Sequence, residues 1–173
     1  MIDNGARYLI DTNTLITPYK IYYPFDLAPN FWVKLKREIN NEKLLILDLV
    51  KEEVAKGDDE LSDWIKDIDN KLIISRKSPE IMKKYSEILV YIQTCGYYKV
   101  DAVTNWSRQE IADAWIIAAA SVHNLTLITQ EKPNGGLNTS NKARNAKIPD
   151  ICKQFNVKCE DLFYMMRQLS LTV

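Results

Sequence analysis

The feature that most constrains this chain is the run Tyr-Leu-Ile-Asp-Thr-Asn at residues 8–13. Three apolar residues that lead straight into turn-forming polar residues are typical of a short, buried central strand. Asp11 then lies at the carboxyl end of that strand, which is where open α/β sheets bind their ligands. Thr12 and Asn13 are suited to cap a helix that begins at about Leu15. Asp11 alone fits a turn or capping residue equally well, so its role depends on the rest of the chain.

Length and composition restrict the class of protein. At 173 residues, the chain has the size of one well-buried domain, and we expect residues 1–173 to form it. The net charge is +0, so any binding of nucleic acid must come from local basic patches. No apolar run is long enough to span a bilayer, and Asp3 and Arg7 interrupt any signal peptide. Three cysteines without a Cys-x-x-Cys pair, and one histidine, disfavour a zinc site and favour a reducing cytoplasm.

Further apolar runs predict strands that alternate with helices. Strands are expected at 44–47, 71–74, 125–128 and 157–158. Helices are expected at 31–39, 49–57, 58–66, 79–96, 107–124, 151–155 and 162–169, with a loop at 97–106. Such alternation predicts an α/β fold in which helices flank a central, mostly parallel sheet of four to five strands.

Two acids are expected on helix faces that are otherwise apolar. Glu53 shares its face with Leu49, Val50 and Val54, which should pack on the sheet. Asp113 is the only charge in the apolar part of the helix expected at 107–124, which Ser107 and Glu110 would open as a capping box. A buried, unpaired carboxylate is costly, so each of these acids should meet a proton, a base or a cation. The alternative for Asp113 is a first-turn aspartate that the helix dipole stabilises.

The fourth strand ends at Thr129 and Glu131, which again places an acid after an apolar run. The polar, glycine-containing segment that follows resembles a mobile loop, and it has no acid before Asp150. Its basic residues suit contact with a phosphate backbone, although a solvated loop explains them as well. These residues are Lys132, Lys142, Arg144 and Lys147.

Right-handed crossovers bring the ends of parallel strands to one edge of the sheet, so four acids can meet there. Their motifs contain no balancing cation, and clustered carboxylates repel one another and raise each other's pKa. Oxygen ligands without cysteine or histidine suit Mg²⁺ or Mn²⁺. An ion of this kind lowers the pKa of a bound water and binds a phosphodiester oxygen. The four acids are Asp11, Glu53, Asp113 and Glu131.

These motifs resemble the PIN domain in their order and spacing over nearly the whole chain. The resemblance rests on residues 8–13, Glu53, the segment Ala-Asp at 112–113 before the apolar run 116–120, and residues 127–131. The segments at 147–152 and 157–159 resemble the DUF4411 group of PIN-like proteins. The resemblance implies a metal-dependent ribonuclease, commonly the VapC-like toxin of a type II toxin–antitoxin pair, with RNA as substrate and an antitoxin protein as partner.

By this resemblance, Asp11, Glu53 and Asp113 are catalytic, metal-binding acids. Glu131 replaces the usual fourth aspartate and has one more methylene group. Thr129 matches the hydroxyl before that acid, and Asn13 matches the polar residue two positions after the first acid. Lys142, Arg144 and Lys147 would position phosphates. Glu110 is a possible fifth acid, but helix capping is enough to explain it.

Other readings of the same residues stay open. A PIN-like fold that binds RNA or a protein without cutting it also fits the near-neutral charge. A receiver-type phosphoacceptor at Asp11 fits less well, because neither a second acid beside it nor a lysine at a late strand end is present. Aromatic residues suit either the core or a surface for an antitoxin or a second copy of the chain. They are Tyr22, Tyr23, Trp32 and Trp64.

Overall fold

The computed structural model describes residues 5–173 and contains one five-stranded, all-parallel sheet. The expected α/β architecture is confirmed. The strand order is β3-β2-β1-β4-β5, with the first strand of the chain at the centre. The strands are β1 (Tyr8–Ile10), β2 (Leu44–Leu47), β3 (Ile73–Ile74), β4 (Thr126–Ile128) and β5 (Cys159–Glu160).

Helices connect successive strands. Before β3 they are α1 (Thr12–Thr17), a π-helical turn (Pro18–Tyr22), α2 (Pro29–Asn40), α3 (Asp48–Val54), α4 (Glu60–Lys66) and a 3₁₀ turn (Asn70–Leu72). After β3 they are α5 (Pro79–Thr94), α6 (Val100–Trp106), α7 (Asp113–His123), α8 (Ile148–Gln154) and α9 (Leu162–Gln168). Within residues 5–173, no helix is long and apolar enough to cross a membrane.

The strand order creates a crevice between β1 and β4. The chain leaves β1 towards β2 and β3 on one side, whereas it leaves β4 towards β5 on the other. Right-handed crossovers in opposite directions place their helices on opposite faces of the sheet. The carboxyl ends of β1 and β4 therefore flank a topological switch point, where α/β proteins open a ligand-binding crevice.

The sheet and the helices that cover it form the core. β1, β2 and β4 are buried along their whole length, as their uninterrupted apolar sequences predict for parallel strands. Of the aromatic residues considered for an interaction surface, Trp32 is a core residue at 1% exposure, and its Nε1 donates to the carbonyl of Tyr23. Tyr22 is 52% exposed and lies at the surface, whereas Tyr23 and Trp64 are partly buried against the core.

The chain between α5 and α7 differs from the sequence prediction. The segment expected as a loop at 97–106 contains α6, and the helix expected from Ser107 begins only at Asp113. Ser107 follows the last residue of α6 and donates its hydroxyl to the carbonyl of Thr104, so the predicted capping box with Glu110 is wrong. Serine and glutamate three residues apart cannot distinguish a helix start from a turn that ends the preceding helix.

Two smaller differences concern element ends, and a third concerns the segment expected to be a mobile loop. Helix α1 begins at Thr12, so Thr12 and Asn13 lie inside the helix and do not cap one that begins at Leu15. β5 lies at Cys159–Glu160, two residues after the predicted strand. The basic segment before α8 is tied to the α5–α6 connection by backbone hydrogen bonds from Lys99 to Ala143 and from Ala143 to Tyr97.

Candidate functional site

The centre of the candidate site is the carboxyl end of β1. Ile10 pairs with Ile128, and the amide of Asp11 donates to the carbonyl of Ile128 at 2.9 Å. This register places Asp11 beside Thr129, whose hydroxyl donates to Asp11 Oδ2 at 3.0 Å. Asp11 is only 3% exposed. Burial raises the pKa of Asp11 from 3.8 to about 6, although the hydrogen bond from Thr129 opposes that shift.

Asp113 reaches the same edge from α7. It is the first residue of that helix, which packs against β4. Burial, followed by the negative charges of Asp11, Glu131 and Glu53, raises its pKa from 3.8 to about 7. Since the negative charges of all three other predicted acids raise this pKa, the four carboxyl groups lie close enough to interact electrostatically.

Glu53 joins the group from α3. The prediction that it lies on the buried face of its helix is wrong: Leu49, Val50 and Val54 are buried, whereas Glu53 is exposed. Its carboxylate still turns towards β1, because the hydroxyl of Thr12 donates to Glu53 Oε2 at 2.7 Å. Thr12 is buried and directly follows Asp11, so this bond ties Glu53 to the same edge.

Glu131 is held by partners from another segment. Lys147 Nζ lies 3.0 Å from Glu131 Oε1, and the amide of Ile148 donates to Oε2 at 2.9 Å. The amide of Glu131 itself donates to the hydroxyl of Thr129 at 3.2 Å. A cation from outside the four motifs therefore balances one of the four acids, which the sequence pattern did not predict.

Comparison with known proteins identifies the family. The family described as a domain of unknown function, DUF4411, matches residues 8–173. The chain belongs to the DUF4411 family. No curated protein matches it.

A solved structure supports the fold of this DUF4411 protein. It is the crystal structure of VapBC2 from Rickettsia felis bound to a DNA fragment from their promoter. The TM-score is 0.50 at 18% sequence identity, and the match covers 89% of this chain and 97% of that chain. The DUF4411 chain thus has a PIN-like fold, as the sequence motifs predicted.

The side chains of the DUF4411 site do not form a closed set of metal ligands. Within residues 5–173, no three histidine, cysteine, aspartate or glutamate side chains are grouped closely enough to hold an ion by themselves. Glu131 is paired with Lys147, and Glu53 accepts from Thr12. Asp11 and Asp113 have no cationic partner of this kind among the described residues. The donor chemistry of these two fits Mg²⁺, which keeps several waters and is usually bound by one or two carboxylates.

The other predicted site residues differ in whether they contact the four acids. Thr129 is a direct neighbour of Asp11, and Lys147 contacts Glu131. Asn13 is exposed in the first turn of α1. Lys142 and Arg144 are exposed in the segment before α8, and no contact with the acids is recorded for them among residues 5–173. The nucleic-acid-binding role of all three basic residues stays a prediction.

Sequence reasoning missed two groups of residues at this site. The first is Thr12, because a hydroxyl after a strand was read as a helix cap. The second comprises Asn105, Arg108 and Asn145, which line a cleft together with Asp113 and Glu131. The signal for Asn105 was hidden because residues 97–106 were expected to be a loop.

Proposed function

We propose that this protein is a metal-dependent endoribonuclease that hydrolyses RNA phosphodiester bonds, and that it is the toxin of a type II toxin–antitoxin pair. One observation carries the proposal: Asp11 directly follows β1, Asp113 begins α7 beside β4, and the negative charge of Asp11 is among the causes that raise the pKa of Asp113 to about 7. Such an arrangement is unfavourable for the free protein and becomes favourable when a cation occupies it.

In this proposal, Asp11 and Asp113 hold Mg²⁺ or Mn²⁺, and Glu53 and Glu131 complete the surroundings, directly or through water. When bound, the ion supplies a water of lowered pKa and a positive charge for the phosphate. The protein's own hydrogen bonds prepare these positions. Thr129 orients Asp11, Thr12 orients Glu53, and Lys147 with the amide of Ile148 orients Glu131. Asn13 is a supporting residue.

The approach of RNA needs positive charge, because four acids at the edge repel a polyanion. Lys142 and Arg144 are exposed on the segment before α8 and are proposed to contact phosphates, with Lys147 nearer to the acids. These contacts are local, which agrees with a chain whose net charge is +0. Phosphate contacts position the RNA but carry no sequence information.

An antitoxin protein is the proposed partner, since a free ribonuclease toxin in the cytoplasm must be restrained. The likeness in fold to the crystal structure of VapBC2 supports this proposal. A homodimer is a further expectation. Exposed apolar residues near the start of α2 offer a surface for either partner, and they are Ile21, Tyr22 and Leu27.

The test is cleavage of a labelled single-stranded RNA in Mn²⁺. The parent chain is expected to cut it, and Asp11→Asn is expected to abolish cleavage while the protein unfolds at the same or a higher temperature. Asp26→Asn is the matched control, because it removes an exposed aspartate in the turn before α2, outside the candidate site. Cleavage retained in Asp11→Asn contradicts the proposed site. A parent chain that binds RNA but never cuts it supports the silent binding module instead.

A further inference from the structure

A cleft of about 210 Å³ lies beside the acids, at the end of α6 and the segment before α8. Asp113 and Glu131 line it together with three residues that have no part in the proposed metal site: Asn105, Arg108 and Asn145. Sites that enclose drug-sized ligands usually measure about 300–1,000 Å³, so this smaller cleft suits contacts with part of one nucleotide rather than enclosure of a whole ligand.

Arg108 is the cation of this cleft that is available to a ligand. Its backbone is fixed in the turn after α6, since the amide of Ile111 donates to its carbonyl at 3.1 Å. Its side chain is exposed, and no partner for the guanidinium is recorded within residues 5–173. Lys147, the other cation in the lining, is paired with Glu131. A guanidinium binds a phosphate through two parallel hydrogen bonds, which a lysine cannot do.

Asn105 and Asn145 form an amide pair across the cleft lining. Asn105 Nδ2 donates to Asn145 Oδ1 at 3.3 Å, which joins α6 to the segment before α8. The carbonyl of Asn145 also accepts from the side chain of Asn134 at 3.1 Å, so this end of the pair is held in place. Asn105 Oδ1 and Asn145 Nδ2 have no recorded partner among the described residues. These two atoms offer one hydrogen-bond acceptor and one donor, which is a pattern that can recognise the edge of a base.

We propose, on the basis of the nuclease function above, that this cleft binds one unpaired nucleotide of the RNA next to the bond that is cut. Arg108 contacts the phosphate of that nucleotide, and the Asn105–Asn145 pair contacts the edge of its base. The base must be unpaired, because a base in a duplex has no free Watson–Crick edge. The cleft thereby places the neighbouring phosphodiester at Asp113 and gives the enzyme a preference among bases.

Binding of fluorescein-labelled single-stranded RNA of mixed sequence tests the phosphate contact. It is measured by anisotropy in the Asp11→Asn background with Mg²⁺ present, where cleavage is expected to be absent. Arg108→Ala is expected to weaken binding about tenfold and to reduce the dependence of log K on log salt by about one. Arg108→Lys should recover part of the affinity. Arg167→Ala is the charge-matched control, because Arg167 is an exposed arginine on α9.

The amide pair is tested with labelled oligo(A), oligo(C) and oligo(U). Asn145→Ala is expected to bring the three affinities closer together without changing the salt dependence. If Arg108→Ala has the affinity and salt dependence of its background, or Asn145→Ala keeps its base preference, the corresponding contact is wrong.

These results separate the cleft from the nuclease function. A parent chain that cuts RNA with no effect of Arg108→Ala on binding overturns the cleft alone. RNA binding that needs Arg108, in a parent chain that never cuts, overturns the nuclease function alone. Absence of both binding and cleavage overturns both.

Discussion

At the scale of single residues, two carboxyl groups of the candidate site are costly to ionise in the folded protein. The pKa of Asp113 is about 7 and that of Asp11 is about 6, whereas both are near 3.8 in an unfolded chain. Between these values the native state binds more protons than the unfolded state, so the free energy of unfolding falls as the pH rises from about 4 to about 7. The stability gained by keeping these two carboxyl groups protonated is complete only below about pH 4.

Asp113→Asn should remove the part of this fall in the free energy of unfolding that is due to Asp113. The amide has no charge to bury, so we expect the variant to be more stable than the parent by about 2–4 kcal/mol at pH 8 in the absence of metal. At pH 4 the two proteins should unfold at similar temperatures. Thermal unfolding followed by circular dichroism at both pH values checks this, with Asp26→Asn, at an exposed position, as the control. A variant that is less stable than the parent at pH 8 would mean that the carboxylate is satisfied by the protein.

Thr129→Val should raise the pKa of Asp11 above its present value of about 6, because the hydroxyl stabilises the ionised form. Thr129→Ser keeps the hydroxyl and should leave that pKa near the parent value. The carboxyl carbon resonance of Asp11, followed by NMR during a pH titration, reports the shift. An unchanged titration in Thr129→Val would show that the hydrogen bond does not tune this acid.

At the scale of elements, the position of α7 decides how Asp113 is presented. The helix begins at Asp113, after α6 and a six-residue connection at 107–112, so the acid lies at a helix start instead of inside a longer helix. Ser78 is different: its hydroxyl accepts from the amide of Ile81 and caps α5.

The two serines therefore provide a direct test of these helix boundaries. Ser78→Ala should lower the free energy of unfolding by about 1 kcal/mol, whereas Ser107→Ala should change it by less than about 0.5 kcal/mol. Urea denaturation of both variants measures the difference. Equal losses in the two would place a helix start at Ser107, as its spacing to Glu110 had predicted.

The same elements show which parts of the fold and of the site could be predicted from the sequence. The central strands were predictable because their apolar residues end abruptly at polar ones, and parallel pairing then brings Asp11 and Thr129 together. Helix α6 was not, because it has only seven residues, and the three that pack inward, Ala102, Val103 and Trp106, are too short a pattern to identify a helix. The pairing of Lys147 with Glu131 was also hidden, since it depends on how the intervening segment folds back.

At the scale of the whole molecule, charge is arranged by the sheet and not by composition. The chain has a net charge of +0, yet its strand order gathers four acids at one edge, and its segment 132–147 carries exposed lysines and an arginine. In the proposed function, this arrangement separates the site for a cation from the surface that contacts phosphates. Association with RNA should depend strongly on salt, because phosphate contacts release counterions.

In the proposed site, Asp11 and Asp113 bind one divalent ion together. Isothermal titration calorimetry with Mn²⁺ at pH 8, where both carboxyl groups are ionised, measures this binding. The parent chain and Asp26→Asn should bind the ion with the same affinity, whereas Asp11→Asn and Asp113→Asn should each lose the heat of binding. Undiminished binding in Asp11→Asn or Asp113→Asn, or no binding by the parent chain, would contradict the proposed site.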